Sequence, residues 1–498
     1  MRPGLLYAGE GARPHAAVDA EDLQLDALWA AMARGDEGLY AAARAVTLAP
    51  LTDPADIAHR QEVLRDCTGN AAAVRELHAL ADEAVAADQK IFRGPAARPE
   101  VLLNRSLRVL EQSFEYLRRL RDLASGHARA FGSPAFSRLF ASLRTELDEG
   151  YLRGAETLLD QLQFEHGILA EARLGPGNKS VGFRLHEPPG KGRDPSVRRF
   201  RKSGLAFAVP ADNEETWRAL PAFRDLIVEE VAQAAAASAD HVRDFLLALR
   251  SELGFYVGCL NLAESLTGLG LPVCVPRAHP AAGPAPSARG LYDPCLALLR
   301  GGAVGSDLDA GAAALIMVTG ANRGGKTTFL RGVGTAQLMM QCGMFVAARH
   351  YAAPVAHGIF THFRREEDRS MTSGKLDEEL ARMSAVVDRL RPGALLLCNE
   401  SFASTEEREG SDIAAEIIGA LTGLGVRVVF VTHLYDLAQR LHAEAGDDRL
   451  FLTTERDAGG APTFRIVPGT PSPTAHARDL YLRVFGDDRP PGRSAYHR

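Results

Sequence analysis

The chain has 498 residues, more than one hydrophobic core usually holds, so we expect two to four domains. Hydrophobic residues make up 46% of it and charged residues 24%, as in an ordinary soluble protein, and we find no uncharged apolar stretch of membrane-spanning length. The net charge of −6 does not indicate nucleic-acid binding, although a local basic face would suffice for it.

The six cysteines are scattered and include no C-x-x-C pair, which argues against a disulfide framework or a zinc site. We expect them to be reduced and mostly buried. No apolar segment of signal-peptide type follows the first residues. Both features predict a cytoplasmic protein.

The first part of the chain, about residues 15–175, is predicted to be helical. Leu, Ala and Val recur there at spacings of three to four between Glu, Asp and Arg, as in the segments 101–123 and 136–162. The helical pattern resumes at 215–267, and a stretch of Pro, Ala and Gly at 280–286 predicts a loop.

Between the helical stretches lies a segment, about residues 176–213, that is rich in Gly, Pro and basic residues. A short apolar run at 205–209 predicts a strand. A basic cluster in this segment predicts salt-dependent, sequence-independent contacts with the DNA backbone; a solvated charged loop is the alternative. The residues of the basic cluster are Arg198, Arg199, Arg201 and Lys202.

Short apolar runs alternate with helical patterns in the last part of the chain. This alternation predicts an α/β fold in which helices cover both faces of a mostly parallel sheet. The predicted strands are 315–319, 344–348, 394–398, 428–432, 450–454 and 463–467.

The run from Gly320 to Thr327 matches G-x-x-x-x-G-K-[ST], the phosphate-binding P-loop, and lies between a predicted strand and a predicted helix. Its glycines allow backbone N–H groups to surround a polyphosphate, and the helix N-terminus adds partial positive charge. We predict that Lys326 reaches the β- and γ-phosphates and that the Thr327 hydroxyl holds Mg²⁺. The predicted nucleotide-binding residues are Gly320, Ala321, Asn322, Arg323, Gly324, Gly325, Lys326, Thr327 and Thr328.

An apolar strand ends in Asn399 and Glu400, the pattern of a Walker B segment. We predict that Glu400 orients or deprotonates the attacking water. Asn399 stands where an Asp usually faces the Mg²⁺, and at an effective dielectric near 20 one charge about 4 Å away is worth about 4 kcal/mol. We therefore expect weaker Mg²⁺ affinity or slow turnover. His433 follows the next strand and is predicted to contact the γ-phosphate, with a structural histidine as the alternative.

Two polar segments accompany these motifs. Residues 401–410 form a loop directly after Glu400, and residues 372–380 resemble a helix start whose Ser373-Gly374-Lys375 tip would bind an anion. For both segments a plain surface loop is the alternative.

Taken in order, these motifs resemble the ATPase domain of the MutS family of DNA mismatch-repair proteins. The resemblance covers about residues 287–475 and rests on Asn322 in the P-loop, on L-L-L-C-N-E, on S-T-E-E-R-E-G-S-D-I-A and on V-T-H-L-Y-D-L. It extends more weakly upstream, where residues 49–61 are similar to the start of the family's helical core.

The resemblance implies a helical core and lever domain at 1–280, with a short clamp-like insertion at about 176–213, and an ABC-type P-loop ATPase domain at 287–498. It also implies ATP hydrolysis with Mg²⁺, a homodimer that pairs through the ATPase domains, and duplex or branched DNA as a partner in DNA repair. It implies no membrane partner. The catalytic residues that it implies are Lys326, Glu400 and His433.

Further features depart from the family pattern. No Phe has a Glu two positions later, so the Phe-x-Glu motif that reads mismatches is missing, and we expect the mismatch-recognition and connector domains to be absent. Gly374 stands where the family carries a Ser toward the partner's nucleotide. Two alternatives stay open: a recombination modulator that recognises branched DNA, and a regulatory NTPase that switches dimerisation without DNA. An ABC transporter subunit is disfavoured because no Leu-Ser-Gly-Gly-Gln signature occurs.

Overall fold

The computed structural model of the protein describes residues 3–7, 17–19, 21–91, 98–164, 169–178, 180–186, 214–365, 374–444 and 446–471. The basic cluster and the strand predicted at 205–209 lie outside the described residues.

The chain forms two compact units that interleave along the sequence. Unit 1 comprises Met1–Leu5 and Asn70–Leu253, and unit 2 comprises Leu6–Gly69 and Gly254–Arg498. The predicted domains are instead consecutive, and the boundary between 280 and 287 stays a prediction.

Helices follow the apolar periodicity of the sequence in the first half of the chain. The helix predicted after the P-loop and the one predicted at 215–267 are also present. The α-helices are α1 (Asp26–Ala33), α2 (Glu37–Thr47), α3 (Pro54–Gly69), α4 (Ala71–Gln89), α5 (Pro99–His127), α6 (Pro134–Glu146), α7 (Glu149–Leu162), α8 (Glu214–Gly268), α9 (Pro294–Arg300), α10 (Lys326–Gln341), α11 (Lys375–Val387), α12 (Glu407–Gly423) and α13 (Tyr435–Ala443). Short 3-10 helices lie at Glu21–Leu23, Ala128–Ala130 and Pro176–Asn178.

Strands are concentrated in unit 2, and two of them, β1 and β2, fall in the stretch predicted to be entirely helical. The strands are β1 (Ala17–Val18), β2 (Leu169–Leu174), β3 (Ser180–His186), β4 (Arg277–His279), β5 (Ser287–Leu291), β6 (Ser306–Asp309), β7 (Leu315–Thr319), β8 (His350–Pro354), β9 (Gly358–Phe363), β10 (Leu395–Asn399), β11 (Arg427–Val431), β12 (Arg449–Arg456) and β13 (Pro462–Pro468).

Unit 1 contains α4 to α7, the β2–β3 hairpin and most of α8. The longest of its complete helices, α5, buries Leu103, Leu107, Leu110 and Phe114, spaced three or four residues apart on one face. The Ser133 side chain accepts a hydrogen bond from a backbone N–H in the first turn of α6 and so begins that helix. An ion pair joins Arg98, directly before α5, to Asp225 of α8.

Unit 2 contains, among its described residues, a seven-stranded sheet in the order β1-β9-β10-β11-β7-β12-β13. Its neighbouring strands are parallel except for β12 and β13. Strand β7 lies between β11 and β12, and a core of apolar side chains from β10, β11, α11, α12 and α13 packs beside it. A second, mixed sheet has the order β4-β8-β5-β6. The fold therefore mixes helices with a mostly parallel sheet, as predicted.

The strand predicted at 344–348 is wrong. These residues lie between α10 and β8 and form only an isolated bridge, Val346 to Cys274. They are all buried, so their apolar character reflects burial in the core of unit 2 and not strand geometry. Strand β9, which sequence reasoning missed, carries Thr361 and His362 among its apolar residues and so lacks a continuous apolar run.

Helix α8 is the one segment among the described residues that is long and apolar enough to pass a membrane-span test, over Arg224–Gly268. Because 72% of its apolar stretch is buried within the protein, as in a core helix, the length and composition of α8 are weak evidence for a membrane span. The cysteines are free thiols; five are buried and Cys274 is half-buried. Burial raises the pKa of the Cys295, Cys342 and Cys398 thiols to about 12, which keeps them protonated.

Candidate functional site

The candidate site begins where β7, the buried strand between β11 and β12, turns into α10. The turn requires left-handed backbone at Gly320 (φ +113°), Arg323 (φ +62°) and Gly325 (φ +94°). Glycine adopts this conformation without the steric cost that a Cβ brings. Helix α10 then begins at Lys326, so its free backbone N–H groups point into the loop.

The glycines are also needed because the loop passes very close to β12. A Cβ on Gly320 would lie 2.4 Å from Thr454 Oγ1, and a Cβ on Gly324 would lie 2.6 Å from Thr454 Cγ2. The Thr454 hydroxyl accepts a hydrogen bond from the Ala321 N–H at 3.2 Å. Thr454, which sequence reasoning missed, therefore forms one wall of the loop.

Lys326 is buried in this loop. Its Nζ donates hydrogen bonds to Gly320 O at 2.8 Å and Ala321 O at 3.1 Å. Burial lowers the pKa of Lys326, and the nearby Glu400 carboxylate partly opposes that shift. A buried ammonium whose hydrogen bonds go to two neutral carbonyls is suited to bind an anion in their place.

The side chain of Thr327, at the start of α10, meets that of Asn399, the last residue of β10. The Thr327 hydroxyl donates to Asn399 Oδ1 at 2.9 Å, so its lone pairs are free to bind a cation. A hydroxyl and an amide oxygen suit Mg²⁺, which prefers oxygen ligands and keeps several waters. Among the described residues, no group of three or more His, Cys, Asp or Glu side chains is placed to hold a metal ion.

Glu400 and His433 follow neighbouring strands and lie at the same edge of the sheet. His433 Nδ1 is 3.9 Å from Glu400 Oε1, and both side chains are about one-third exposed. The backbone of Glu400 is left-handed (φ +54°), and its N–H donates to Val431 O at 2.8 Å. The loop predicted at 401–410 is shorter than expected, because α12 begins at Glu407. The Glu407 side chain accepts hydrogen bonds from the N–H groups of Tyr435 and Asp436, at the start of α13.

Behind Glu400 lies a buried polar group that sequence reasoning missed. His362 Nδ1 is 2.7 Å from the Ser401 hydroxyl, His362 Nε2 is 3.1 Å from the carbonyl of Glu379, and the ring stacks on Phe402. Burial, together with nearby Arg382, lowers the pKa of His362 to about 4. Nothing in the local sequence around His362 distinguishes it, because the contacts come from residues far along the chain.

Phe464 is a third residue that sequence reasoning missed. It lies in β13, its side chain is largely exposed, and its backbone is left-handed (φ +62°). Its carbonyl oxygen is 3.1 Å from the place where a Cβ on Gly325 would stand. The Phe464 backbone therefore lies against the glycine loop, and an exposed aromatic ring is suited to stack on a flat ring.

The structure thus brings together the loop residues from Gly320 to Thr328 with Asn399, and Glu400 with His433. Asn322 and Arg323 are exposed at the tip of the loop. Gly374 is the N-cap residue of α11 and provides no side-chain cap, while Ser373 lies outside the described part of the chain. A glycine loop between a parallel strand and a helix is the arrangement with which α/β proteins bind nucleotide phosphates.

Two family models match the chain, the MutS2 N-terminal domain over residues 52–269 and MutS domain V over residues 316–459. The chain is 29% identical to the protein "Endonuclease MutS2" of Leuconostoc citreum over 35% of its own length and 22% of that relative. It is 31% identical to the "DNA mismatch repair protein MutS" of Synechococcus sp. over 32% of its length, and 30% identical to the protein of the same name from Thermotoga petrophila over 31%.

The chain belongs to the MutS family. It spans about a fifth of the length of the curated relatives that it matches, 22%, 20% and 20% of the three proteins above. The matched part of the Synechococcus and Thermotoga relatives is therefore only a fraction of each, and the activity of the whole proteins does not transfer with the family.

Proposed function

We propose that this chain is an ATP-dependent, DNA-binding protein of the MutS type, which hydrolyses ATP with Mg²⁺ to drive dimer and lever movements in DNA repair. The observation that carries the proposal is the glycine loop from Gly320 to Gly325, which encloses the Lys326 ammonium next to Thr327, Asn399 and Glu400. We also propose the division into a core and lever domain at 1–280 and an ATPase domain at 287–498, and a cytoplasmic location.

Each residue of the site has a proposed role. Lys326 exchanges its two carbonyl partners for phosphate oxygens, which offsets the cost of burying its charge. Glu400 accepts a proton from the attacking water or orients it, and His433 responds to the γ-phosphate. Thr327 and Asn399 hold Mg²⁺, which neutralises charge on the phosphates when it is bound. Phe464 stacks on the base of the nucleotide.

DNA is the proposed partner, bound through the basic cluster of residues 198–202, and two copies of the chain pair through their ATPase domains. The match to the MutS2 N-terminal domain supports a lever-like helical region but leaves the DNA structure open. Both the mismatch-repair role and the recombination alternative are compatible with it.

The proposed function is tested by ATP hydrolysis with linear, mismatched and four-way-junction DNA. We expect Mg²⁺-dependent hydrolysis that at least one DNA stimulates, loss of nucleotide binding in Lys326→Ala, and retained binding without hydrolysis in Glu400→Gln. Phe464→Ala is expected to weaken nucleotide binding about tenfold, since one base–aromatic stack is worth roughly 1–3 kcal/mol.

Hydrolysis that no DNA stimulates would favour the regulatory NTPase that switches dimerisation. Absence of nucleotide binding by the wild-type protein would overturn the proposal altogether.

A further inference from the structure

Glu400 has a backbone conformation that residues with a side chain seldom adopt. Its φ is +54°, and Phe402, two residues later, is also left-handed with a φ of +63°. Such conformations persist where the surrounding structure holds them in place. The contacts around Ser401 and Phe402 therefore decide how the Glu400 side chain is directed.

His362 of β9 contacts both residues that follow Glu400. Its Nδ1 lies 2.7 Å from Ser401 Oγ, the Ser401 hydroxyl is 2.9 Å from the His362 carbonyl oxygen, and the imidazole stacks on the Phe402 ring at a centroid distance of 5.7 Å. The three side chains are buried, with exposed fractions of 1%, 0% and 0%, so His362 cannot itself touch a nucleotide. Any effect of His362 on the reaction must pass through its neighbours.

The orientation of the imidazole is fixed from its other side. His362 Nε2 is 3.1 Å from the carbonyl oxygen of Glu379 in α11. A carbonyl can only accept a hydrogen bond, so Nε2 carries a proton and donates it to Glu379 O. The single proton of the Ser401 hydroxyl lies between two acceptors, the His362 carbonyl oxygen and Nδ1 of the neutral ring. A histidine held by a third group in this way has one tautomer and one orientation.

We propose that His362 is a positioning residue for the reaction: it holds Ser401 and Phe402, thereby directs the Glu400 carboxylate, and connects Glu400 to α11. The inference rests on the proposed ATPase function and adds to it a residue that lies in β9, outside the P-loop and the Walker B segment. Helix α11 begins at Lys375, at the segment that the sequence predicts to bind an anion, so the connection joins that helix start to the proposed base.

The test compares steady-state ATP hydrolysis with binding of a fluorescent ATP analogue in the full-length chain. The variants are His362→Ala, Ser401→Ala and the double variant. We expect each single variant to lower kcat about tenfold or more, the range for groups that orient a catalytic residue, with the Kd for the analogue changed less than twofold. The double variant is expected to be no slower than the slower single variant, because both act along one path.

Two further variants separate positioning from folding. His362→Asn, which retains a polar group near the place of Nδ1, is expected to restore part of kcat. His357→Gln is the matched control, because His357 is an exposed histidine directly before the same strand, and it should behave as wild type. If His362→Ala does not fold, the comparison of single and double variants uses His362→Asn in its place.

The outcomes distinguish this inference from the function beneath it. Wild-type hydrolysis that Glu400→Gln abolishes, together with unchanged kcat in the His362 variants, overturns the inference alone. Multiplicative losses in the double variant overturn the path through Ser401. Failure of the wild type to hydrolyse ATP overturns the proposed function, and the inference with it.

Discussion

Asn399 puts a neutral amide at the position where a carboxylate would strengthen the attraction for Mg²⁺. Its Oδ1 already accepts the Thr327 proton at 2.9 Å, and an Asp at the same position would accept it equally well. Substitution therefore changes the charge and leaves the geometry intact. This makes Asn399→Asp a clean probe of the proposed metal site.

We predict that Asn399→Asp lowers the Mg²⁺ concentration needed for half-maximal binding of a fluorescent nucleotide about tenfold. The reason is the added negative charge, whose worth of about 4 kcal/mol at 4 Å falls to about 1–2 kcal/mol through an intervening water. A Mg²⁺ titration of the nucleotide signal, repeated after chelation with EDTA, measures the change. Identical titration curves and identical kcat would contradict the prediction.

His362 gives a second prediction at the scale of one residue. Its pKa is lowered from 6.5 to about 4 by burial and by Arg382 and Arg365, while the hydrogen bond to the Glu379 carbonyl and the charge of Asp22 act in the opposite direction. Below pH 6.5 His362 becomes protonated in the unfolded chain but stays neutral in the folded chain. The contribution of His362 to the free energy of unfolding is therefore fully present above pH 6.5 and is lost as the pH falls toward 4. The total loss is about 3 kcal/mol.

Chemical unfolding at several pH values between 7 and 4 tests this effect. Because other groups also titrate there, the informative quantity is the difference in slope between variants. His362→Asn should flatten the dependence, while the same substitution at the exposed His357 should not. Equal slopes in wild type and His362→Asn would rule the effect out.

At the scale of elements, the strand–loop–helix unit was readable from sequence because its chemistry is local. The P-loop spacing, the fully apolar β7 and the start of α10 within the motif lie next to one another along the chain. The same holds for β10 and β11, where continuous apolar runs end in Asn399 and immediately before Thr432.

What sequence reasoning missed depends on contacts between distant residues. Thr454 reaches the loop from β12, 133 positions from Ala321, and His362 meets Ser401 across 39 positions. The predicted strand at 344–348 failed for a related reason: burial from all sides makes a connecting segment apolar without making it a strand. An apolar run indicates that a segment is buried, whereas the periodicity and length of the run indicate whether the segment is a helix or a strand.

Gly320 tests whether the loop depends on its approach to β12. We predict that Gly320→Ala abolishes nucleotide binding or destabilises unit 2, because the new Cβ would lie 2.4 Å from Thr454 Oγ1 and 2.9 Å from Thr454 N in a backbone with φ +113°. Analogue binding and thermal unfolding measure the two effects. Gly419→Ala in α12 is the control, since a Cβ there meets nothing within 4 Å, and it should raise stability by up to about 1 kcal/mol. If Gly320→Ala binds the analogue as tightly as the wild type and unfolds at the same temperature, the prediction is contradicted.

At the scale of the whole molecule, the two units are not consecutive in sequence. Residues from Leu6 to Gly69 fold with the sheet of unit 2, while Asn70 to Leu253 form unit 1 and α8 continues from one unit into the other. The predicted consecutive domains follow the motifs and not this interleaving. The chain therefore passes from one unit to the other three times, at Leu5–Leu6, Gly69–Asn70 and Leu253–Gly254.

The DNA proposal yields a prediction that belongs to the whole chain. Reversing the charge of the basic cluster, with Arg198, Arg199, Arg201 and Lys202 changed to Glu, should weaken binding of a fluorescent duplex at least tenfold at 50 mM NaCl. Each lysine or arginine that neutralises a phosphate contributes about 0.9 to the slope of log K against log salt, so the slope should become shallower by about 3 to 4. Anisotropy titrations between 50 and 200 mM NaCl measure both quantities.

A control of equal charge change separates a local site from a general effect of net charge, which is already −6 in the wild type. The matched variant reverses exposed arginines of unit 2, namely Arg300, Arg349, Arg391 and Arg456. Because non-specific attraction falls off within about 10 Å at 0.1 M salt, this variant should retain most of the wild-type affinity and slope. Equal losses in both variants, or wild-type binding that salt does not weaken, would show that the basic cluster is not the DNA contact and would leave the regulatory NTPase as the better account.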